Sequence, residues 1–250
     1  MTPTLRPTPP DAVLRARGLV KVHGSGRAQR RILDGVDLDV LPGELVAIVG
    51  RSGSGKSTLL QLLGGLDRAD AGTIEVAGRC VAAPSGGRRP SERELSAIRR
   101  DAIGFVFQFF HLLPELDGEA NVLLPATLPG ADGRALAVRG RALIARLGLD
   151  DVAGLRPHQL SGGEQQRFAL ARALVGDPPL ILADEPIGNL DAVAGALVLD
   201  LLRAAADEGR AVVMVTHQAE ATARADRVLR LDGGVLVGER GGDAQVHATG

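Results

Sequence analysis

The sequence predicts an α/β fold, and two observations support that prediction. Three apolar runs are continuous, as in strands covered on both faces, at 45–49, 180–183 and 211–215. A helical pattern follows each of them, at about 56–66, 191–208 and 217–225. We therefore expect a parallel sheet that lies between helices.

Further segments complete the predicted domain. Residues 32–41 alternate apolar and polar, as a half-buried strand does, and 103–107 form another strand signal. Helical patterns also occur at about 91–100, 133–147 and 162–175. These patterns predict a mostly helical subdomain inserted at about 109–176. A Gly/Pro/Arg-rich surface loop is expected at 82–93.

Composition narrows the class of protein. The 250 residues include 45% hydrophobic residues, enough for a core, and 29 basic against 30 acidic residues give no sign of nucleic-acid binding. The single cysteine, Cys80, fits a reducing compartment. The apolar runs are too short to span a membrane, and the start does not resemble a signal peptide. We expect a disordered lead at 1–12, one domain at 13–240 and a disordered tail at 241–250.

The segment GRSGSGKS matches the phosphate-binding pattern G-x-x-x-x-G-K-[ST], directly after a predicted strand and at the start of a predicted helix. Glycines let consecutive N–H groups turn toward phosphate oxygens, and the helix N-terminus adds partial positive charge. Ser57 then offers its hydroxyl to Mg²⁺. The predicted phosphate-binding residues are Gly50, Ser52, Gly53, Gly55, Lys56, Ser57 and Thr58.

Lys56 is one of only two lysines, whereas the other 27 basic residues are arginine. A compact ammonium fits a tight phosphate nest, where the planar guanidinium fork of arginine would be directed elsewhere. The alternative is a solvated lysine on a Gly-rich turn, which the agreement of strand, motif and helix argues against.

Acidic and imidazole groups end two of the predicted strands. Asp184 and Glu185 follow 180–183, and His217 follows 211–215. Near a phosphate nest, Asp184 would bind the metal and Glu185 would polarise a water as general base. His217 could donate to the γ-phosphate. A solvated pair of strand-end carboxylates is the alternative.

The segment LSGGEQQR has a simple structural explanation, since Ser161 and Glu164 are spaced as a capping box. A capping box does not need Gly162 and Gly163. We expect that their missing side chains expose the N–H groups of the helix start to something that approaches closely.

Together these residues resemble the ATP-binding-cassette (ABC) ATPases. LSGGEQQR is similar to their signature motif, Gln108 to the Q-loop glutamine, GNLD with Asp191 to the D-loop and His217 to the switch histidine. The resemblance covers 13 to about 238 and is greatest to the macrolide-exporter and lipoprotein-releasing (MacB/LolD) subgroup. It implies a P-loop NTPase core with an antiparallel β subdomain and an inserted α-helical subdomain.

The resemblance also implies ATP and Mg²⁺ as cofactors, and a homodimer that holds each ATP between one chain's P-loop and the other chain's Ser161–Gly163 and Asp191. Glu185, His217 and Gln108 would be catalytic, with Ser57, Gln108 and Asp184 at the metal. The partner would be an integral membrane permease on another chain, which holds the ATPase at the cytoplasmic face of the cell membrane. Phe109, Phe110 and Leu112 would be its docking surface or ordinary core.

The sequence departs from the family pattern at four places. His23 stands where an aromatic residue commonly stacks on adenine, and the chain has no Trp or Tyr. Ile187 replaces a usual Thr, Asp117 and Gly118 replace a usual Thr-Ala, and the loop at 82–93 looks long.

Three alternatives to a transporter motor stay open at this level. The first is an ATPase that relays force to the cell envelope without transport. The second is an ATP-switched scaffold in DNA repair or translation, which predicts coiled-coil insertions or a duplicated cassette. The third is a nucleotide sensor that does not hydrolyse ATP, which would be expected to lose Glu185 or His217.

Overall fold

The computed structural model describes residues 11–24, 29–84 and 86–240. Residues 1–10 of the predicted lead and the whole predicted tail lie outside the described residues. Ala12, which the prediction placed in the lead, is buried. The limits of the domain and of the inserted subdomain stay predictions.

Ten strands and seven α-helices occur in the described residues. The strands are β1 Leu14–His23, β2 Arg30–Val40, β3 Leu45–Val49, β4 Ala71–Val76, β5 Arg79–Ala82, β6 Ile103–Val106, β7 Leu180–Asp184, β8 Ala211–Val215, β9 Arg227–Asp232 and β10 Val235–Arg240. The helices are α1 Lys56–Leu63, α2 Glu92–Ala102, α3 Gly118–Leu123, α4 Gly133–Arg146, α5 Gly162–Leu174, α6 Ala192–Asp207 and α7 Ala219–Thr222. Short 3-10 segments are Leu124–Thr127, Asp150–Val152 and Pro157–Gln159.

All the strands and helices expected from periodicity are present, with two clear changes of length. α1 ends at Leu63 rather than near 66, because Gly64 and Gly65 follow and Gly65 takes a φ of 63°. The helix expected at 217–225 is only one turn, α7. The sequence QAEATARAD lacks the apolar periodicity that would bury a longer helix.

The larger sheet has six strands in the order β10-β9-β3-β8-β7-β6. Every pairing from β9 to β6 is parallel, which confirms the predicted parallel sheet. β8 is buried at every residue, as its continuous apolar run predicts. β10 alone is antiparallel, because Gly233 and Gly234 form a tight hairpin turn with φ of 57° and 86°.

The smaller sheet is antiparallel, in the order β2-β1-β4-β5. Leu14 of β1 pairs with Val40 of β2 and with Val76 of β4. Its inward side chains share one hydrophobic cluster with α1 and with one face of the larger sheet. α1 is therefore held between the two sheets, and its N-terminus lies where β3 ends.

The helices between β6 and β7 build a second cluster on the opposite face of the larger sheet. Phe168 of α5 is fully buried at its centre. Gly118 is in close contact with this ring, since a Cβ there would be 2.4 Å from Phe168 Cζ. Asp117 caps α3 by accepting a hydrogen bond from the N–H of Ala120. The departure Asp117–Gly118 thus keeps a cap and makes room for Phe168.

Candidate nucleotide-binding site

The predicted site residues follow three adjacent parallel strands. β3, β8 and β7 are neighbours in that order, so their carboxyl ends meet at one edge of the sheet. The P-loop segment 50–57 follows β3, Asp184 ends β7 and Glu185 comes next, and Thr216 and His217 follow β8. The fold brings these predicted residues to one place.

The P-loop backbone depends on its glycines. Gly50 has a φ of 159° and no room for a side chain, because a Cβ would be 2.7 Å from the carbonyl oxygen of Leu231. Gly55 precedes α1 with a left-handed φ of 102°, and a Cβ there would be 2.6 Å from Ile32 Cγ2. No side chain of the described residues caps α1. Its first N–H groups are therefore available to an anion.

Lys56 lies folded over the P-loop. Its Nζ donates to the carbonyl oxygens of Gly50 at 2.9 Å and Arg51 at 3.3 Å, and the residue is 9% exposed. In the described part of the chain it makes no hydrogen bond or ion pair with a carboxylate, although its charge interacts with that of Asp184. A nearly buried ammonium whose hydrogen bonds go only to neutral carbonyls can gain much from a phosphate oxygen.

Ser57 and Asp184 form a pair of oxygen groups at the same edge. The Ser57 hydroxyl donates to Asp184 Oδ1 at 3.1 Å. Burial is the largest influence on Asp184 and raises the pKa of its carboxyl above the usual value, and the negative charge of Glu185 acts in the same direction. Hydroxyl and carboxylate oxygens suit Mg²⁺. A cation would relieve the cost of burying this carboxylate.

Among the described residues, no group of three or more His, Cys, Asp or Glu side chains is placed to hold a metal ion. Mg²⁺ at nucleotide sites usually takes one or two protein oxygens and completes its shell with phosphates and water. Ser57 and Asp184 could supply those protein oxygens.

Glu185 and His217 form a second pair. His217 Nδ1 and Glu185 Oε1 are 2.8 Å apart. The Glu185 side chain is only 14% exposed, whereas that of His217 is 66% exposed. Glu185 Oε2 is buried and makes no hydrogen bond to the described residues. A buried carboxylate oxygen without a donor suits a group that must accept a proton from water.

The backbone at Glu185 is strained, which sequence patterns did not reveal. Its φ is 45°, the left-handed region that residues with a Cβ seldom adopt. Its N–H donates to the carbonyl oxygen of Val215, the last residue of the neighbouring strand β8. This hydrogen bond fixes the turn that holds the carboxylate at the sheet edge.

Gln108 lies close to the loop that follows Glu185. Its carbonyl oxygen accepts a hydrogen bond from Asn189 Nδ2 at 3.0 Å. Its side chain lies against Gly188, where a Cβ would be 3.1 Å from Gln108 Nε2. Within the described residues, no hydrogen bond joins its side chain to Ser57 or Asp184. Its role at the metal stays a prediction.

The capping box at the start of α5 is confirmed. The Ser161 hydroxyl accepts from the N–H of Glu164, and Glu164 Oε2 accepts from the Ser161 N–H at 2.7 Å. The hydrogen bonds from the hydroxyl and the N–H of Ser161 lower the pKa of Glu164 below its usual value. Ser161 is exposed, so its hydroxyl can also be reached from outside.

The two glycines after Ser161 differ in their surroundings within the chain, and their predicted exposure to an approaching group stays a prediction. A Cβ at Gly163 would be 2.8 Å from Ala194 Cβ, so α6 of the same chain already requires glycine there. A Cβ at Gly162 would make ordinary contact, 3.5 Å from Leu190 Cδ2. Asp191 caps α6 by accepting from the N–H of Ala194 at 2.9 Å. Asp191 thus has a structural role whether or not it also binds nucleotide.

Phe109, Phe110 and Leu112 are placed differently. Phe109 is 68% exposed, whereas Phe110 is half-buried and Leu112 packs against the core. Docking surface and core were the two alternatives, and of the three residues Phe109 has the most exposed side chain. His23 is exposed at the end of β1, which leaves an adenine contact open as a prediction. Ile187 is buried against Gly195 of α6, so an apolar residue suits it.

Two polar residues of α5 were missed at the sequence level. Gln166 is fully buried and donates to the carbonyl oxygen of Pro186 at 2.6 Å. Arg172 donates to the carbonyl oxygens of Phe110 and His111. The only sequence signal was the position of polar residues among the apolar ones of a helix expected to be mostly buried.

The sequence matches known proteins over most of its length. The profile of the ABC transporter family matches residues 33–188. The lipoprotein-releasing system ATP-binding protein LolD of Novosphingobium aromaticivorans is 45% identical over 227 residues, which cover 90% of this chain and 99% of that protein. The macrolide export ATP-binding/permease protein MacB of Rhodopseudomonas palustris is 47% identical over 229 residues. That match covers 92% of this chain but 34% of MacB, so the chain spans about a third of such relatives.

Solved structures agree with these matches. The ATP-binding cassette MJ0796, in a dimeric post-hydrolysis state bound to ADP and Pi, superposes with a TM-score of 0.78 at 35% identity, over 91% of this chain and 98% of that one. This likeness confirms the predicted fold class. Within the described residues, no helix is long and apolar enough to cross a bilayer. On the family match and the similarity to LolD, the chain belongs to the ABC transporter family, as an ATPase domain of that family.

Proposed function

We propose that this chain binds and hydrolyses ATP to power a separate integral membrane permease of the export or lipoprotein-release type. The observation that supports this most is the pairing of Ser57 with Asp184 and of Glu185 with His217 on adjacent strand ends. One pair offers oxygens to a metal, and the other offers a base beside an imidazole. A nucleotide sensor without hydrolysis would not need the second pair.

The geometry supports the following roles in hydrolysis. Lys56 and the N–H groups at the start of α1 would bind the phosphates. Ser57 and Asp184 would hold Mg²⁺, which would supply positive charge beside the phosphate oxygens. Glu185 accepts a proton from the attacking water through its carboxylate. Because His217 Nδ1 faces Glu185, its Nε2 is the ring nitrogen left to approach the γ-phosphate.

The second half of the site would come from another copy of the chain. The similar cassette MJ0796 is dimeric in its post-hydrolysis state bound to ADP and Pi. In the proposed dimer, exposed Ser161 of one copy contacts the γ-phosphate held by the other. Moving a pair from mostly open to mostly closed takes about 5.5 kcal/mol. Four charged hydrogen bonds of about 1.5–3 kcal/mol each are enough.

The membrane permease would dock at the exposed turn around Phe109. Through it the ATPase would lie at the cytoplasmic face of the cell membrane. The names of MacB, an ATP-binding/permease protein, and of LolD, an ATP-binding protein of a lipoprotein-releasing system, support this assignment. The identity of the substrate would be set by the permease.

The test is reconstitution with the membrane protein that copurifies from detergent-solubilised membranes with the Glu185→Gln variant. Wild-type chain added to that protein in liposomes should hydrolyse ATP faster than alone. The Phe109→Ser variant should keep its own ATPase rate but lose the stimulation. Val138→Ser is the matched control, because Val138 of α4 is 66% exposed and Phe109 is 68% exposed.

Three outcomes would count against the proposal. No ATP hydrolysis by the wild-type chain would contradict the motor function. A copurifying membrane protein that gives no stimulation would contradict the coupling. Equal loss of stimulation in both Ser variants would contradict docking at Phe109. Movement of a substrate across the liposome membrane separates transport from force transmission.

A further inference from the structure

Arg172 makes an unusual set of contacts for a charged residue. Its guanidinium donates to the carbonyl oxygen of Phe110 at 2.9 Å and to that of His111 at 2.7 Å. Within the described residues it has no acidic partner, and burial lowers its pKa below the usual value. A partly buried arginine that bonds only to main-chain carbonyls holds a particular backbone conformation rather than balancing a charge.

The backbone that Arg172 holds is a turn of unfavourable conformation. Phe110 and His111 have φ of 60° and 50°, so two consecutive residues with side chains are left-handed. Such residues persist only where surrounding contacts fix them. The rings of Phe107 and His111 lie 4.7 Å apart across the turn, and the N–H of Phe110 donates to the carbonyl oxygen of Phe107. Gln108 lies inside this turn.

The same helix holds the loop that follows Glu185. Gln166, six residues before Arg172 on α5, donates to the carbonyl oxygen of Pro186. Asn189 of that loop donates to the carbonyl oxygen of Gln108, which joins the two loops directly. α5, the turn at 107–111 and the loop at 185–189 therefore form a closed set of three connections, each from a side chain to a main-chain carbonyl.

We propose that Arg172 is a positioning residue, which fixes the turn at 107–111 to α5 and thereby sets the place of Gln108 relative to Glu185. We call the two hydrogen bonds from Arg172 to this turn the clamp, and the inference that the clamp holds the turn depends only on these contacts. Its effect on hydrolysis rests on the proposed function and on the role of Gln108 in it. Movement of α5, whose N-cap is Ser161, would then move the turn at 107–111 and the loop at 185–189 together.

The geometry explains why this residue is an arginine. The planar fork of the guanidinium places two N–H groups so that they reach the carbonyls of two consecutive residues at once. An ammonium would reach one of them well. We expect Arg172→Lys to keep part of the clamp and Arg172→Met to keep only the packing of the side-chain stem.

The first experiment measures the turn without nucleotide. Because the chain has no Trp or Tyr, Phe109→Trp places a single indole on the turn, at an exposed position. Adding Arg172→Met to this variant should lower the fluorescence anisotropy of the indole, and adding Arg172→Lys should lower it less. Arg141→Met is the control, because Arg141 is an exposed arginine that pairs with Glu119 instead. An unchanged anisotropy in a folded Arg172→Met variant would overturn the proposal.

The second experiment measures ATP hydrolysis without the tryptophan. Misplacement of a site group by about 1 Å costs up to about a hundredfold, so kcat of Arg172→Met should fall about ten- to a hundredfold. KM should stay unchanged, because the P-loop is untouched. In a Gln108→Ala background, Arg172→Met should cause no further loss of kcat.

These outcomes separate a positioning role from a structural one and from the proposed function. A structural role alone would lower the melting temperature and leave kcat unchanged well below it. Losses that multiply in the double variant would show that Arg172 does not act through Gln108 and would overturn the proposal. If the wild-type chain hydrolyses no ATP, the proposed function fails, and the anisotropy comparison still decides whether Arg172 holds the turn.

Discussion

The two halves of the proposed site are the P-loop edge, which is the sheet edge where β3, β8 and β7 end, and the start of α5. They differ in whether their polar groups already have hydrogen-bond partners. At the sheet edge, the hydrogen bonds of Lys56 go only to carbonyls, and Glu185 has a buried oxygen without a donor. At the start of α5, Ser161 and Glu164 satisfy each other. A nucleotide bound by a single chain would therefore satisfy polar groups at the sheet edge. The Ser161 and Glu164 side chains already have partners, and the start of α5 would contact a nucleotide only when that nucleotide is held by another chain.

The largest effect is expected at Lys56. Two unit charges about 4 Å apart interact by roughly 4 kcal/mol at an effective dielectric near 20, so Lys56→Ala should weaken MgATP binding by two to three decades. Lys56→Arg should also bind weakly, because the fork does not fit the nest. Calorimetric titration of MgATP checks both.

Lys21→Ala is the control for Lys56, because Lys21 is the chain's other lysine and pairs with Asp67. The affinity of the Lys21→Ala variant for MgATP should stay near that of the wild-type chain. If Lys56→Ala bound MgATP as tightly as the wild-type chain, nucleotide binding at the sheet edge would not depend on the charge of Lys56.

The next effect separates the two signature glycines. Gly163→Ala puts a methyl group against Ala194 of α6 and should destabilise the fold by about 1–2 kcal/mol. This lowers the melting temperature by roughly 2–6 °C. Gly162→Ala has room and gains helix propensity, so it should melt no lower than wild type. Equal melting temperatures for the two variants would contradict the close contact with α6.

A smaller effect compares two capping boxes. Ser91 caps α2 with Glu94 in the same way as Ser161 caps α5 with Glu164. Ser91→Ala and Ser161→Ala should each cost about 1 kcal/mol of stability in thermal unfolding. Only Ser161→Ala should also weaken ATP-dependent dimerisation, measured by analytical ultracentrifugation in the Glu185→Gln background. Equal dimerisation of the two variants would mean that Ser161 is only a cap.

The smallest effect is a pH dependence at Glu164. The folded state holds the pKa of Glu164 below its usual value of 4.5 through the hydrogen bonds from Ser161. The resulting stabilisation is therefore present above pH 4.5 and is lost as the pH falls through the lowered pKa. Glu164→Gln keeps an acceptor without a charge. It should melt up to a few degrees below wild type near pH 7, and this gap should shrink below pH 4. A constant gap would exclude the carboxylate as its cause.

Much of the architecture could be predicted, because the decisive signals are local. Continuous apolar runs located β3, β7 and β8, and the motif located the turn that joins β3 to α1. The antiparallel sheet followed only from the resemblance. β1 pairs with β4, which is distant in the sequence, and local periodicity does not predict that pairing.

What could not be predicted depends on long-range contacts and backbone strain. Arg172 contacts a carbonyl 61 residues away, and Gly163 is needed because α6 passes beside it. The left-handed φ of Glu185 could not be predicted from its residue type, because glutamate does not favour that conformation. Phe109 and Phe110 are neighbours with the same side chain, and only the turn decides which one faces solvent.

The most direct test of the account is size-exclusion chromatography with light scattering on Glu185→Gln, with and without MgATP. A nucleotide that joins the P-loop edge of one chain to the α5 start of another should double the scattering mass when MgATP is present. The doubling should be absent without nucleotide and in the Glu185→Gln/Lys56→Ala double variant. A chain that binds MgATP and stays monomeric would contradict a site completed by a second copy.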